Sequence, residues 1–200
     1  WIEVPLDVQG ALIDPSELEG FNPLSEENPA EGEAVAAAVP NVIKLLESSK
    51  RPLLLIGNGV RLSKSEETAI KVAERLGLPI ITSRNAIDTV NSDHPLFIGR
   101  PGTYGTRPAN FAAQTCDLLI IVGCRLSMSL TGYNYWEFAA NARKVMVDID
   151  KCELEKPSTA KFDMLVKVEC SAFLSELLKA AENSSIPKRE GWIMRCQSWK

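Results

Sequence analysis

Gly102 and Gly105 flank Thr103 and Tyr104 in the stretch Gly99 to Arg125, GRPGTYGTRPANFAAQTCDLLIIVGCR. Glycines so spaced let backbone amides approach a ligand closely, or adopt positive φ. Thr106 stands where it can cap a following helix, with Arg107 and Pro108 in the first turn, where the missing donor of proline costs nothing. Gly123 ends an apolar run, and Arg125 follows it. Loop, helix and strand together are expected to offer unpaired amides and the Arg125 guanidinium to an anion. A surface ion pair is the other reading of Arg125. A second glycine turn, Gly57, Asn58 and Gly59, follows Leu53 to Ile56. A dinucleotide fingerprint G-x-G-x-x-G needs a third glycine where Leu62 stands, so a tight strand-to-helix turn explains this pair equally well.

Asp148 and Asp150 bracket the end of another apolar run, Val145 to Ile149, and strand alternation puts both on one face with Ile149 opposite. A ribose-binding carboxylate or a helix cap suits them better than a metal. His94, the single histidine, precedes Pro95 among turn formers and has no nucleophile paired with it, so it reads as part of a turn. Tyr133 to Trp136 could cover a ligand ring or meet a neighbouring domain. The chain has no H-E-x-x-H, no G-x-S-x-G, no P-loop and no C-x-x-C pair. Its five cysteines, an odd number, read as reduced and mostly buried, which suits a cytoplasmic protein.

These residues must be held by strands alternating with helices. Buried runs are expected at Leu53 to Ile56, Pro79 to Thr82, Leu118 to Val122, Val145 to Ile149 and Met164 to Val168. Helical faces are expected around Val39, Val42, Ile43 and Leu46, then over Glu66 to Leu76, where Gly77 stops the chain, then after Thr106, and last around Leu174, Leu177, Leu178 and Ala181. Pro40 either starts or kinks the first of these helices. Ser83 to Ile98 reads as irregular. Such alternation implies a doubly wound parallel α/β sheet of five or six strands. Ligands of such sheets sit beyond the carboxyl ends of the strands, so Gly57 to Gly59, Thr82 to Asn85, Gly123 to Arg125, Asp148 with Ile149, and Glu169 should share one rim.

Two hundred residues with a formal charge of −4 and no basic run suit one core, and argue against a nucleic-acid or polybasic membrane surface. No apolar run approaches the ~20 residues of a membrane span. Trp1 to Val4 reads as a strand without a partner in this chain, and Gly10 to Gly32, rich in proline and acidic residues, as an extended linker. The open-ended character of WIEVPLDVQ and GWIMRCQSWK suggests a piece of a longer polypeptide. The expected division is 1–36, the end of a preceding domain and a linker; 37–182, the nucleotide-binding-type domain; and 183–200, a linker to a further domain.

The ordered series RPLLLIGNGV, SDHPLFIGRPGTYGTRPANFAAQTCDLLIIVGCRLSMSLTGYN and KVMVDIDKCELEKP resembles the central domain of thiamin-diphosphate-dependent enzymes of the acetolactate synthase and pyruvate oxidase type. The likeness covers roughly residues 40 to 180, and WIEVPLDVQ looks like the closing strand of the family's pyrimidine-binding domain. The resemblance implies a six-stranded parallel, Rossmann-like sheet that holds FAD, or ADP in some relatives, in a structural role. It assigns the glycine turn to Gly57, Asn58 and Gly59, the pyrophosphate and ribose loop to Gly102, Tyr104, Gly105 and Thr106, the strand-end arginine to Arg125, and the adenine surroundings to Asp148, Ile149, Glu169 and Cys170, with Thr82 and Gly123 on the same rim. Two positions depart from the family pattern: Ser129 replaces a second arginine, and Tyr104 replaces a histidine.

The resemblance also implies a full-length enzyme that uses thiamin diphosphate and Mg2+, through domains outside this chain, to decarboxylate or join 2-oxo acids as a homodimer or homotetramer. Its catalytic glutamate and its metal-diphosphate motif would lie in those other domains, so no catalytic residue is expected here. Two other readings stay open: a flavin-binding electron-transfer domain, and an oligomerisation scaffold that holds no ligand.

Overall fold

The computed structural model describes residues 2–20, 31–156 and 160–200. Ile2 to Val4 form no strand; a one-turn helix, α1 (Leu6–Gln9), follows them, and Trp1 lies outside the described residues. A strand needs a ladder to satisfy its backbone, and none of the sheet strands pairs with this stretch, where Ile2 is 91% exposed. Residues 10–20 are without regular helix or strand, and the rest of the expected linker up to Ala30 lies outside the described residues.

The next helix, α2 (Glu31–Ser48), starts eight residues ahead of Val39, because the alanines at 34 and 36–38 are strong helix formers. Pro40 therefore lies inside it. Its ring is exposed, so the carbonyl of Ala36 that loses its donor can turn to water. Val35, Val39, Val42 and Leu46 form the buried stripe.

β1 (Pro52–Ile56) is buried throughout, and a short helix, α3 (Asn58–Leu62), stands between it and α4 (Glu66–Leu76). Gly77 ends α4 in the left-handed conformation, with φ 64°. β2 (Ile80–Thr82) follows. The region read as irregular hides an edge strand, β3 (Phe97–Gly99), too short to show any alternation. Then come α5 (Arg107–Thr115), β4 (Leu118–Val122), the short α6 (Met128–Thr131), β5 (Arg143–Asp148), α7 (Lys151–Glu155), β6 (Met164–Lys167), α8 (Cys170–Glu182) and α9 (Glu190–Gln197).

The strands form one all-parallel sheet of six in the order β3-β2-β1-β4-β5-β6. That is the doubly wound order, with its reversal between β1 and β4. Alternation is hidden in the sequence by burial on both faces. Leu54, Ile56, Ile120 and Val122 pack under α2, α4 and α8, whereas Leu53, Leu55, Leu119 and Ile121 pack under α5, α7 and α9. α9 lies in the stretch expected to be a linker, yet its Trp192 and Cys196 are buried in the second of these layers. Among the described residues no helix is long and apolar enough to cross a membrane.

Candidate functional site

Because every strand runs the same way, the residues that follow β1, β2, β4 and β5 emerge along one edge. Gly57, Gly123 and Cys170 meet there at the reversal point. A Cβ on Gly57 would lie 2.0 Å from the carbonyl oxygen of Gly123, and one on Gly123 would lie 2.7 Å from Cα of Gly59 and 2.8 Å from Sγ of Cys170. Gly123 also has φ +59°. These glycines are thus required by the approach of the chain to itself. The Gly57 amide donates to Val122 O, that of Gly59 to Gly123 O and that of Gly123 to Val147 O, each at 2.9 Å.

The glycine-rich loop after β3 is likewise closed on itself. Its Gly102 amide donates to Oδ1 of Asn110 at 2.8 Å, Thr103 to Ser129 O at 2.9 Å, Gly105 to Gly102 O at 2.9 Å and Thr106 to Arg100 O at 2.7 Å. Four amides of the loop, those of Gly102, Thr103, Gly105 and Thr106, are therefore already paired. Thr106 occupies the N-cap position of α5, but its hydroxyl makes no capping bond and instead accepts from the Arg100 amide at 3.3 Å. Tyr104 stands 87% exposed at the tip. Asn110, which no motif in the sequence singles out, clamps the loop by both ends of its amide. A cavity of about 230 Å³ lies between this loop, α5 and α6. That is smaller than the ~300–1,000 Å³ of ordinary ligand pockets.

Side chains rather than amides give the rim its chemistry. Arg125 donates through Nε to Oε1 of Glu153 at 2.7 Å, and Lys156 holds the other oxygen of Glu153 at 2.7 Å. The ion-pair reading of Arg125 is thus realised, but its terminal nitrogens make no hydrogen bond among the described residues, and the side chain is 81% exposed. Glu153 is the site residue that sequence reading missed. The available signal was its place three residues after Asp150, which caps α7 by accepting from the Cys152 amide at 2.8 Å.

Asp148 lies within the field of Glu153. Burial pushes its carboxyl above the ordinary aspartate range, against a hydrogen bond from the Asp150 amide at 3.0 Å, and the charges of Glu153 and Asp150 push it the same way. Ile149 beside it is half exposed. Glu169 accepts from the Ser171 hydroxyl at 3.0 Å. Burial raises the Cys170 thiol to about 12 and the Cys124 thiol to about 11, so both are neutral packing groups at physiological pH. Thr82 is wholly buried at the end of β2, and its hydroxyl has no hydrogen-bond partner among the described residues.

The side-chain set fits the adenosine diphosphate half of a nucleotide. Asp148 offers acceptors for ribose hydroxyls, Ile149 an apolar edge for a base, and Arg125 two unused nitrogens for phosphate. The paired amides offer nothing more. His94 does not join the rim: Nε2 meets Oε1 of Glu74 at 3.2 Å and Nδ1 accepts from the Leu96 amide at 3.2 Å, so it holds a turn. Tyr133 and Trp136 remain exposed, at 80% and 60%.

Residues 39–177 match the family described as "Thiamine pyrophosphate enzyme, central domain". The whole chain aligns with the "Probable acetolactate synthase large subunit" of Methanococcus aeolicus at 32% identity, covering 34% of that protein, and with its namesake in Methanocaldococcus jannaschii at 32%, covering 33%. Escherichia coli "Acetolactate synthase isozyme 1 large subunit" aligns with 78% of the chain, also at 32% identity, over 26% of its own length. The chain spans about a third of the length of the first two of these curated relatives. The parallel sheet, its strand order and the matched span agree with the resemblance read from the motifs: the chain belongs to the thiamine pyrophosphate enzyme central-domain family.

Proposed function

We propose that this chain is the central, non-catalytic domain of an acetolactate-synthase-like enzyme that acts on 2-oxo acids, and that its strand-end rim holds FAD or ADP by the adenosine diphosphate half. The observation that carries the nucleotide reading is the gathering of Arg125, Asp148 and Ile149 at one corner, around Glu153. In this reading Asp148 accepts the ribose hydroxyls, Ile149 packs against the base, and Arg125 keeps its Glu153 partner through Nε while its terminal nitrogens bind phosphate. The buried Thr82 hydroxyl, at the end of β2 on the same edge of the sheet, has no hydrogen-bond partner among the described residues. Thiamin diphosphate, bound with Mg2+ by other domains, supplies stabilisation of carbanion charge next to a carbonyl. This chain supplies scaffold and nucleotide binding.

The test uses the full-length protein. Consumption of pyruvate or another 2-oxo acid should require thiamin diphosphate and a divalent metal; no consumption under any of these conditions would reject the enzyme assignment. Calorimetric titration with FAD and with ADP should show saturable binding that Arg125→Gln weakens about tenfold or more, as expected for loss of a charge-assisted phosphate contact. One observation favours the second reading, a scaffold that holds no ligand: the paired amides of Gly57, Gly59, Gly102 and Gly105. Absence of heat from both nucleotides, beside intact thiamin-dependent turnover, would select it.

A further inference from the structure

The opposite end of the sheet carries a second constellation, independent of the rim. A cavity of about 420 Å³ opens where the chain enters β1, walled by Lys50 and Arg51, by Thr115 at the end of α5, and by Trp192, Arg195 and Trp199 of the α9 region. This volume is that of a small-molecule site.

Its aromatic wall is braced by ring contacts and a hydrogen bond. Trp192 is buried and donates Nε1–H to Pro52 O at 2.9 Å. Trp199 meets the Trp192 ring edge-on at 5.9 Å and the Phe111 ring at 5.7 Å, and the Arg195 guanidinium lies 5.3 Å over the centroid of Trp199. A ligand ring placed against Trp199 would thus meet a surface that gives up little freedom on binding.

Its lining is cationic. Among the described residues Lys50, Arg51 and Arg195 make no ion pair. The carboxylate tied to this corner is Asp117, whose oxygens are committed to the Ser49 hydroxyl and to the amides of Lys50 and Arg51, both at 2.9 Å. Arg189 adjoins it but is spent on the carbonyls of Leu46, Ser49 and Pro187. Glu190 supplies one exposed negative charge in the first turn of α9. The cavity lining carries three cations and no carboxylate, with Arg51 also in the field of Asp117 and Arg195 stacked on Trp199, so the lining itself is net positive.

We propose that this cavity binds a small aromatic phosphate monoester, the phosphate between Lys50, Arg51 and Arg195 and the ring against Trp199. Arginine forks match a phosphate bidentately, and the aromatic wall distinguishes a ring-bearing anion from a bare one. The proposal holds whether or not the rim takes a nucleotide.

The full-length protein, titrated at constant ionic strength with phenyl phosphate, inorganic phosphate and benzoate, should show saturable quenching of tryptophan fluorescence, with the same isotherm by calorimetry. Phenyl phosphate should bind at least tenfold more tightly than either of the others. Arg51→Gln and Arg195→Gln should each weaken it about tenfold with unchanged circular dichroism, while Arg125→Gln at the rim leaves it unaltered. Trp199→Phe should keep the calorimetric affinity within threefold and lose most of the quench. Absence of saturable binding, equal affinity for inorganic phosphate, tighter binding of benzoate, or indifference to both arginine substitutions would overturn the proposal.

Discussion

At the residue scale the glycines did double duty, and only one duty was legible in the sequence. Spacing marks Gly57, Gly59 and Gly123 as strand-end turn glycines; it does not show that each is needed for backbone meeting backbone. The two reasons separate by substitution. Gly123→Ala combines φ +59° with a Cβ 2.7 Å from Cα of Gly59, so strain and overlap act together. Gly132, with φ +81° and nothing within 4 Å of its Cβ, isolates the conformational cost. Denaturant unfolding should therefore place Gly132→Ala about 1–3 kcal/mol below the parent, because φ +81° with ψ 176° is a conformation open essentially to glycine, and Gly123→Ala lower still, because backbone overlap is added to strain. Equal losses at both positions would mean that the reversal point yields more readily than its contacts suggest.

At the element scale the long, strongly patterned pieces could be read and the short or conditional ones could not. α4 declared itself through Ala69, Val72, Ala73 and Leu76 on one face and Gly77 at its end, and β4 through five consecutive apolar residues. β3 has three residues and no room for a period, while the apparent strand at Ile2 to Val4 has β-forming residues but no neighbour to pair with. α9 is a different case: its stretch, amphipathic in sequence, is expected to link to a further domain, and its Trp192 and Cys196, four apart, share a face that is buried here. That helix is part of the fold if Trp192 anchors it. Trp192→Ala removes a 6%-exposed indole and its bond to Pro52 O, and should cost about 3–5 kcal/mol by chemical unfolding. Met194→Ala, on the 68%-exposed side of the same helix, should stay within about 0.5 kcal/mol of the parent. A small effect at Trp192 would mean that the helix is only loosely docked.

At the scale of the whole molecule, the sheet order determines where a ligand can sit, and side chains decide whether one does. Parallel strands collect the residues after β1, β2, β4 and β5 at one edge whatever their identity, which is why the placement of the rim followed from alternation of elements alone. Occupancy did not follow, because amide pairing depends on partners such as the Asn110 side chain and the Ser129 carbonyl, whose role no residue pattern shows. Thr82 offers a way to tell a nucleotide rim from a bare scaffold. Its buried hydroxyl lacks a partner, and leaving such a group unpaired costs about 1–3 kcal/mol. Thr82→Val keeps the shape and removes the polar atom, so the ligand-free protein should become more stable, by up to that amount, in thermal or denaturant unfolding. If the hydroxyl serves a nucleotide, the same substitution should shrink the stabilisation that ADP gives, which for the parent at a hundredfold excess over Kd is about 2.7 kcal/mol. A gain in stability with unchanged ADP stabilisation would place Thr82 outside the binding site, and a gain with no ADP stabilisation in either protein would leave the rim as scaffold.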